Sequence, residues 1–334
     1  MEQLRKIADV LRKPTTDFNE LNETIEEFHA LMLDITGVMP DADENRENIY
    51  SNTGMALGTT WAAMCIKDQM RTKKFVQGIF KAIEELKNKK RDTITLLYAG
   101  TGPFASLLLP VLAFYKPHEL QCVLLEINTN SFKLMRGVID KLGFKEHVKD
   151  FVNADATSYS ANPDHDIDIL LSETMQRALM SEQQVPIMIN LMSQLKPEAV
   201  MIPESISLEV GLISTSLFQS SDSKFSLENY SPLGVFYALT KSTISKWSQY
   251  NKGGKEAFVF PYKKFIITPT TVHKHKELII LTNITIFNDV VLKINESGLT
   301  MPFLLYQLKP TSENRVLKIG YEINEEPGIT YQLE

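Results

Sequence analysis

The chain changes from helical to mixed α/β character at residues 94–104, which read Ile94-Thr95-Leu96-Leu97-Tyr98-Ala99-Gly100-Thr101-Gly102-Pro103-Phe104. The first six residues are typical of a buried strand, and the two glycines after them let the backbone turn sharply and approach a ligand closely. A lone Gly-x-Gly turn is a weak signal, because many such turns are only tight connections. The interpretation therefore depends on the segments around it.

Strands and helices alternate beyond this turn. We expect strands at 94–99, 122–126, 151–154 and 167–171. We expect the intervening helices at 105–114 and 131–142. Such alternation predicts a parallel sheet with helical crossovers, in which ligands bind at the carboxyl ends of the strands.

The segments on either side have a different texture. Residues 1–90 are predicted to be helical, with apolar residues at helical spacing between Leu21 and Ile35, a polar linker at 41–48 and a second helical stretch at 54–87. After Pro203, short runs rich in β-branched and aromatic residues predict an antiparallel sheet or barrel. They fall at 206–210, 258–260, 265–267, 278–287, 290–294 and 316–323. An insertion at about 220–254 carries a helical piece near 239–250.

The composition excludes several classes of protein. The 334 residues carry a net charge of -6, whereas a nucleic-acid-binding protein usually has a basic face. Cys65 and Cys122 lie in apolar surroundings without metal-ligand spacing, so we expect two reduced thiols and no metal site. The N-terminus lacks the apolar core of a signal peptide, and glycines and prolines interrupt the apolar stretch 94–115. We therefore expect a soluble, cytoplasmic protein without nucleic-acid or membrane partners.

Acidic residues follow three of the predicted strands. Glu126 ends the second strand, where a carboxylate can accept hydrogen bonds from ribose hydroxyls. Asp155 follows the third strand, where it can receive an adenine amino group. Together with the glycine turn, these two residues predict a nucleoside pocket.

The fourth strand leads into a pair of glutamates nine residues apart. Glu173 and Glu182 lie at the expected mouth of the sheet, where two ionised carboxylates require a cationic guest. A guanidinium suits such a pair best, because it is planar, always charged and carries five donors in a fixed fork.

From about residue 67 to 208, the chain resembles the class I S-adenosylmethionine-dependent methyltransferases, and among them the protein arginine methyltransferases. The matching positions are Arg71, Gly100, Gly102, Glu126, Asp155, Ala156, Glu173, Met175, Leu179 and Glu182. The resemblance implies a Rossmann-like cofactor domain at 91–203 between the N-terminal helical region (1–90) and a β-barrel-like substrate domain (204–334). It also implies a homodimer, with the 220–254 insertion as the dimerisation arm.

The same resemblance implies roles for individual residues. Arg71 would hold the methionine carboxylate of S-adenosylmethionine, while the glycine loop, Glu126, Asp155 and Ala156 would bind the rest of the cofactor. Glu173 and Glu182 would hold the substrate guanidinium during in-line methyl transfer, next to Met175. For the proton that is released, His273 and His275 are the candidate acceptors; the alternative is that both are exposed loop residues.

Several positions depart from the family pattern. Tyr98 stands where the family carries an acid at the end of the first strand, and Phe104 replaces the third glycine of the loop. Gln176-Arg177 replaces Gly-Tyr between the glutamates, and the family's Thr-His-Trp loop is not intact at 272–277. Arg177 can bind the α-carboxylate of a free amino acid, or else it pairs with a neighbouring acid or faces water.

We therefore expect an enzyme that methylates an arginine guanidinium, with free L-arginine or a small guanidino compound favoured over peptidyl arginine. One alternative is an O-methyltransferase that acts on a carboxylate or hydroxyl of a metabolite or peptide. The other is a non-catalytic protein with the cofactor fold that acts through its dimer surface.

Overall fold

The computed structural model describes residues 2–37, 46–89, 92–214, 229–248 and 257–334. Its helices are α1 (Glu2–Arg12), α2 (Phe18–Thr36), α3 (Thr59–Met64), α4 (Gln69–Asn88), α5 (Leu109–Leu112), α6 (Thr129–Lys141), α7 (Gln184–Met192), α8 (Lys241–Trp247) and α9 (Pro269–Lys274). Its strands are β1 (Ile49–Ser51), β2 (Gly54–Ala56), β3 (Ile94–Ala99), β4 (Leu120–Leu125), β5 (Val148–Val152), β6 (Ile169–Ser172), β7 (Val200–Ile202), β8 (Ser205–Ile213), β9 (Tyr230–Leu239), β10 (Phe258–Val259), β11 (Lys263–Ile267), β12 (Glu277–Phe287), β13 (Val290–Leu292), β14 (Phe303–Gln307), β15 (Arg315–Ile323) and β16 (Gly328–Leu333).

The N-terminal helices pack on the outside of the parallel sheet's helical layer. Helix α2 begins where the Asp17 carboxylate accepts hydrogen bonds from two backbone amides, and it ends at Gly37 in the left-handed conformation. The buried face of α1 packs against α2, α4 and α5. Lys73 of α4 is fully buried, and its ammonium donates to the carbonyl of Val10 (3.0 Å). A cation at this point complements the C-terminal end of the α1 dipole, so these helices are bound firmly to α4.

A β-hairpin and a short helix connect these helices to α4, whereas the sequence predicts one helical stretch over 54–87. Strands β1 and β2 pair with each other, and Met55 also bridges to Glu182 in the loop after β6. The helical prediction is therefore wrong for 54–58, because hydrogen bonds to a segment distant in sequence outweigh local helical spacing. Of the linker predicted at 41–48, only residues 46–48 are described.

The central sheet is parallel, with the strand order β5-β4-β3-β6-β7. Four of its five strands, β3, β4, β5 and β6, agree with the sequence-based expectation to within three residues at each end, whereas β7 was not predicted. The central strands β3 and β6 read as apolar runs because both faces of the sheet are covered there, while the edge strand β5 contains Lys149 and Asp150. The helix predicted at 105–114 is shorter than expected and covers only Leu109–Leu112. Ala105 has a positive φ of 47°, which delays the start of the helix until just before Pro110.

The C-terminal part contains two antiparallel sheets. One has the order β13-β12-β8-β9 with β14 beside β12, and the other has β10-β15-β11 with β16 beside β15. The Rossmann-like core and the antiparallel C-terminal region are thus confirmed, but the described residues form two sheets rather than one closed barrel. The sequence analysis missed β9, β14 and β16, and β9 lies inside the predicted 220–254 insertion. Helix α8 agrees with the helical piece expected there, while 215–228 and 249–256 lie outside the described residues.

The apolar stretch at 94–115 folds as β3, the glycine turn and α5, all of which are buried. In the described ranges, no helix has the length and apolar character needed to cross a membrane. The domain limits at residues 90 and 203 stay a prediction, although the strands change from parallel to antiparallel pairing between β7 and β8.

Candidate active site at the carboxyl edge of the parallel sheet

An inner pocket opens at the carboxyl ends of the parallel strands. Its lining includes every residue predicted to bind the cofactor, namely Arg71, Gly100, Gly102, Glu126, Asp155 and Ala156. The order of the strands spreads these residues along the sheet edge: Asp155 follows β5, Glu126 follows β4 and the glycine loop follows β3. The next strand in the sheet, β6, leads directly into Glu173, which lines the same pocket.

The glycine loop turns tightly into the pocket. Gly100 and Gly102 have φ angles of +76° and +59°, a region that glycine occupies without steric cost. A Cβ atom at Gly100 would overlap the side-chain methyl of Thr174, which follows Glu173. Thr174 is held in place by Gln184. The side-chain oxygen of Gln184 accepts hydrogen bonds from the backbone amide and from the hydroxyl of Thr174 (both 2.9 Å). The loop therefore packs directly against the segment that carries the first glutamate.

Glu126 is buried and orders the pocket's centre. Its carboxylate accepts hydrogen bonds from the amides of Gly102 and Asn128 (both 2.8 Å). Burial nevertheless raises the pKa of Glu126 above its ordinary value, because these hydrogen bonds only partly replace water. The Asn128 side chain caps α6 and also accepts from the hydroxyl of Thr59 at the start of α3, so α3 is attached beside this acid.

Glu173 forms an ion pair with a cation from the chain itself. The guanidinium of Arg71 contacts Glu173 and also donates to the carbonyl of Cys65 (2.9 Å). Arg71 is 6% exposed and Glu173 is 9% exposed, so the pair is desolvated. The charge of Glu173 is therefore balanced within the chain.

Glu182 forms no ion pair with any cation among the residues that the structure describes. It is 7% exposed and lies beside Met55 of the β1–β2 hairpin, whose amide donates to the carbonyl of Ser181 (2.9 Å). Burial raises the pKa of Glu182 to about 7, although a hydrogen bond from Gln176 and the charge of Arg71 both oppose this shift. Near neutral pH the Glu182 carboxyl is therefore poised to ionise, next to the ion pair of Arg71 and Glu173.

The loop between the glutamates is held in an unusual conformation by the C-terminal sheets. Ala178, Leu179 and Ser181 all have positive φ angles, of 58°, 55° and 66°. Such angles cost non-glycine residues free energy and persist only where the surroundings enforce them. Here the amide of Ala178 donates to the hydroxyl of Thr282 (2.8 Å), and the hydroxyl of Tyr321 donates to the carbonyl of Leu179 (2.7 Å). The C-terminal region thus determines where Glu182 lies.

An outer pocket adjoins the inner one, and both glutamates line both pockets. The wall that the two pockets share also includes Arg71 and Met175. Arg177 lines only the outer pocket, where its guanidinium carbon lies 5.6 Å from the centre of the Phe303 ring. Among the described residues, no carboxylate forms an ion pair with Arg177, which leaves its charge available at the outer pocket.

The predicted histidines lie elsewhere. His273 is exposed near the end of α9, and His275 is buried just after that helix; neither lines the inner or the outer pocket. The β12 residue that contacts the glutamate loop is Thr282, five residues or about 17 Å of extended strand beyond Glu277. The structure therefore does not bring either histidine to the glutamates, contrary to our expectation.

Several pocket residues escaped the sequence analysis. Met55 and Cys65 line both pockets, and Gln184 positions the segment after Glu173. Their sequence neighbourhoods show no motif, so only the pairing of the hairpin with the glutamate loop reveals them. The described residues contain no group of three histidine, cysteine or acidic side chains arranged to hold a metal ion.

Comparison with known proteins places this arrangement among known folds. The structure is similar to a chain of the Trypanosoma brucei PRMT1 enzyme–prozyme heterotetrameric complex with AdoHcy, with a TM-score of 0.50 over 80% of this chain and 95% of that chain. The shared fold is a Rossmann-like parallel sheet followed by antiparallel sheets. Sequence identity to that protein is only 12%, so the similarity supports the fold and leaves the activity to be argued from the site. The sequence matches no family model, and no curated protein is significantly similar to it.

Proposed function

We propose that the protein is an S-adenosylmethionine-dependent N-methyltransferase that acts on an arginine-type guanidinium, with free L-arginine favoured over peptidyl arginine. The observation that carries this proposal is the charge balance at the wall shared by the two pockets. Three buried carboxylates, Glu126, Glu173 and Glu182, face one buried cation, Arg71. A pocket with this excess of negative charge favours cationic ligands.

The residues of the inner pocket fit S-adenosylmethionine, which supplies an activated methyl group when bound. The buried Glu126 suits the ribose hydroxyls, and Asp155 suits the adenine amino group. At Gly100, the missing side chain leaves space that a Cβ would fill. The carbonyl of Cys65 and the carboxylate of Glu173 contact two of the five N–H donors of Arg71. The remaining N–H groups of Arg71 can therefore donate to the cofactor's carboxylate. In that fold neighbour, the complex contains AdoHcy, the demethylated form of this cofactor.

The glutamates provide the acceptor site. Glu173 already pairs with the guanidinium of Arg71, and Glu182 lies on the same wall with its carboxylate poised to ionise. A substrate guanidinium placed there gains charge-assisted hydrogen bonds that orient it and keep its charge away from the attacking nitrogen. Because its pKa is near 7, the Glu182 carboxylate can also accept the proton that the methylated guanidinium releases. Glu182, in place of His273 or His275, is thus the proposed proton acceptor.

The preference for free arginine is supported by Arg177. Its exposed guanidinium lies at the outer pocket and forms no ion pair with a described carboxylate. A free amino acid bound through its guanidinium at the shared wall presents its α-carboxylate to the outer pocket. An O-methyltransferase for carboxylates is disfavoured, because its substrate would place a further carboxylate beside the buried Glu173 and Glu182.

The test is methyl transfer from S-adenosylmethionine to L-arginine, to agmatine (which lacks the carboxylate) and to arginine-containing peptides. Mass spectrometry measures methylated product and S-adenosylhomocysteine. We expect methylation of L-arginine in the wild type, and at least a hundredfold loss of rate for Glu173→Gln and Glu182→Gln. Methylation of peptides but not of L-arginine would contradict the preferred substrate. Methyl transfer that tolerates alanine at Glu182 better than at Glu173 would favour the O-methyltransferase.

The role of Arg177 is tested with Arg177→Gln. We expect the KM for L-arginine to rise about tenfold or more, as when one charged contact is lost, and the KM for agmatine to remain unchanged. Arg136→Gln is the matched control, because Arg136 also lies over a phenylalanine ring, Phe151 at 5.0 Å, but lines neither pocket. Equal effects on the two substrates would show that Arg177 does not bind the carboxylate.

We also propose a homodimer in the cytoplasm. The fold neighbour forms a heterotetramer, which supports oligomeric assembly, and the two free thiols Cys65 and Cys122 suit a reducing compartment. Light scattering coupled to size-exclusion chromatography measures the mass, which should be twice 37.9 kDa. Deletion of the 220–228 segment, predicted to belong to the dimerisation arm, should yield a monomer.

A further inference from the structure

The end of the central strand β3 lies between the two acidic positions that the proposed function assigns to ribose and acceptor. Tyr98 pairs with Leu124 of β4 on one side and with Leu171 of β6 on the other. Two residues further along those strands come Glu126 and Glu173. Tyr98 therefore occupies the middle of the sheet edge, one strand away from each acid.

The side chain of Tyr98 faces the inner pocket. It is 2% exposed and is among the residues lining the pocket. Residues two apart on a strand point to the same face, so Gly100 follows on the same side and places no side chain there. Arg71 and Glu126 line the same pocket. Burial raises the pKa of Tyr98 strongly, so the phenol stays neutral.

The chemistry of the cofactor bears on this position. In S-adenosylmethionine the sulfonium is bonded to the carbon chain that bears the carboxylate and to C5′ of the ribose. The groups assigned to these two ends are Arg71 and Glu126, and the acceptor's glutamate is Glu173. The sulfonium is bonded to the groups at both ends and must face the acceptor, so we expect it to lie between Arg71, Glu126 and Glu173. Tyr98 lies at this point of the pocket wall.

We propose that the aromatic ring of Tyr98 recognises the sulfonium charge and thereby favours S-adenosylmethionine over S-adenosylhomocysteine. This inference rests on the proposed function. An aromatic face attracts a cation through its quadrupole, and the attraction is stronger in a desolvated pocket. The product thioether is neutral, so the interaction is lost once the methyl group has left, and product release is favoured.

The test measures dissociation constants by isothermal titration calorimetry, without any acceptor. S-adenosylmethionine and S-adenosylhomocysteine are each titrated into the wild type, Tyr98→Phe and Tyr98→Leu. We expect Tyr98→Leu to weaken the binding of S-adenosylmethionine by about 2- to 30-fold, and that of S-adenosylhomocysteine by less than twofold. Tyr98→Phe keeps the ring and should retain the wild-type preference.

Ring-fluorinated phenylalanines at position 98 keep the shape of the side chain while they weaken its quadrupole. Stepwise fluorination should lower the affinity for S-adenosylmethionine progressively and leave S-adenosylhomocysteine unchanged, and this holds even if Tyr98→Leu does not fold. Phe104→Leu is the matched control for lost packing, because Phe104 is equally buried in the glycine loop but does not line the pocket.

Two results would overturn the inference. One is an equal loss of affinity for both ligands in Tyr98→Leu, which would indicate packing alone. The other is an affinity for S-adenosylmethionine that does not respond to fluorination. Failure of the proposed function looks different: with the wrong cofactor the wild type would bind neither ligand, and with the wrong acceptor it would bind both but not methylate L-arginine.

Discussion

The two glutamates of the site should respond in opposite directions to the same substitution. Glu173 is ion-paired with the buried Arg71, whereas Glu182 is buried without a cation in direct contact. Replacing each with glutamine removes one charge and changes the side-chain volume little. We therefore expect Glu182→Gln to stabilise the folded protein above pH 7, and Glu173→Gln to destabilise it.

The magnitudes follow from the burial of each group. The pKa of Glu182 is about 7 in the folded protein, against an ordinary value of 4.5. At 1.36 kcal/mol for each unit of pKa, its ionised form costs the folded state about 3 kcal/mol. The folded protein binds the proton that the unfolded chain releases between pH 4.5 and 7, so wild-type stability falls as pH rises through this range. The gain from Glu182→Gln should accordingly be near zero below pH 4.5 and reach about 3 kcal/mol above pH 7.

The expectation for Glu173→Gln is different. Removing its charge leaves the Arg71 guanidinium buried without a counterion, which typically costs about 3–5 kcal/mol. This loss should be similar at pH 5 and pH 8, because the arginine remains charged at both.

The assay is thermal unfolding of the wild type and both variants at pH 5 and pH 8, without ligands. We expect the Tm of Glu182→Gln to exceed that of the wild type by several degrees at pH 8 and to approach it at pH 5. If both variants shift the Tm in the same direction at pH 8, the charge assignment is refuted. A gain from Glu182→Gln that is the same at both pH values would contradict the raised pKa.

Three further predictions concern activity and the geometry of the loops. The kcat/KM for the guanidinium substrate should rise with pH through about 7, because only the ionised Glu182 binds it strongly, and this rise should be absent in Glu182→Gln. Gly100→Ala should weaken cofactor binding at least tenfold in calorimetry, because a Cβ there both overlaps a neighbour and requires a positive φ, at a cost of about 1–2 kcal/mol in backbone strain alone. The control Gly137→Ala, in an open position on α6, should leave binding unchanged. Thr282→Val should lower the free energy of unfolding by about 1–3 kcal/mol and reduce kcat, because the buried amide of Ala178 loses its acceptor; unchanged values in both would show that this contact does not hold the glutamate loop.

Much of the fold could be predicted because its signals are local. Strands β3, β4, β5 and β6 follow from short apolar runs, and the crossover rule then places their carboxyl ends at one edge. The acids Glu126, Asp155 and Glu173 could be assigned to one pocket on that basis alone. The cofactor contacts Gly100, Gly102 and Ala156 lie in this pocket for the same reason, whereas Arg71 reaches it from α4.

Other parts could not be predicted because distant partners decide them. The β1–β2 hairpin forms where helical spacing predicts a helix, since Met55 pairs with the loop at Glu182. Strand β9 lies in a segment interpreted as an insertion. Its partner β8 ends at Ile213, and sixteen residues separate that end from the start of β9 at Tyr230. His273 and His275 match the family's Thr-His-Trp loop by sequence position. They precede β12, which contacts the glutamate loop only at Thr282, so both histidines lie away from the pocket.

The sequence by itself determined the parallel strands β3 to β6, the glycine turn and the acids that follow these strands, because apolar runs and tight turns are encoded over a few residues. The charge state of the site was decided only by the tertiary structure. Arg71 neutralises Glu173 and leaves Glu182 buried with a raised pKa because α4, the β1–β2 hairpin and the C-terminal sheets converge on one loop. Burial and ion pairing depend on which segments meet in space, and spacing along the chain does not specify that.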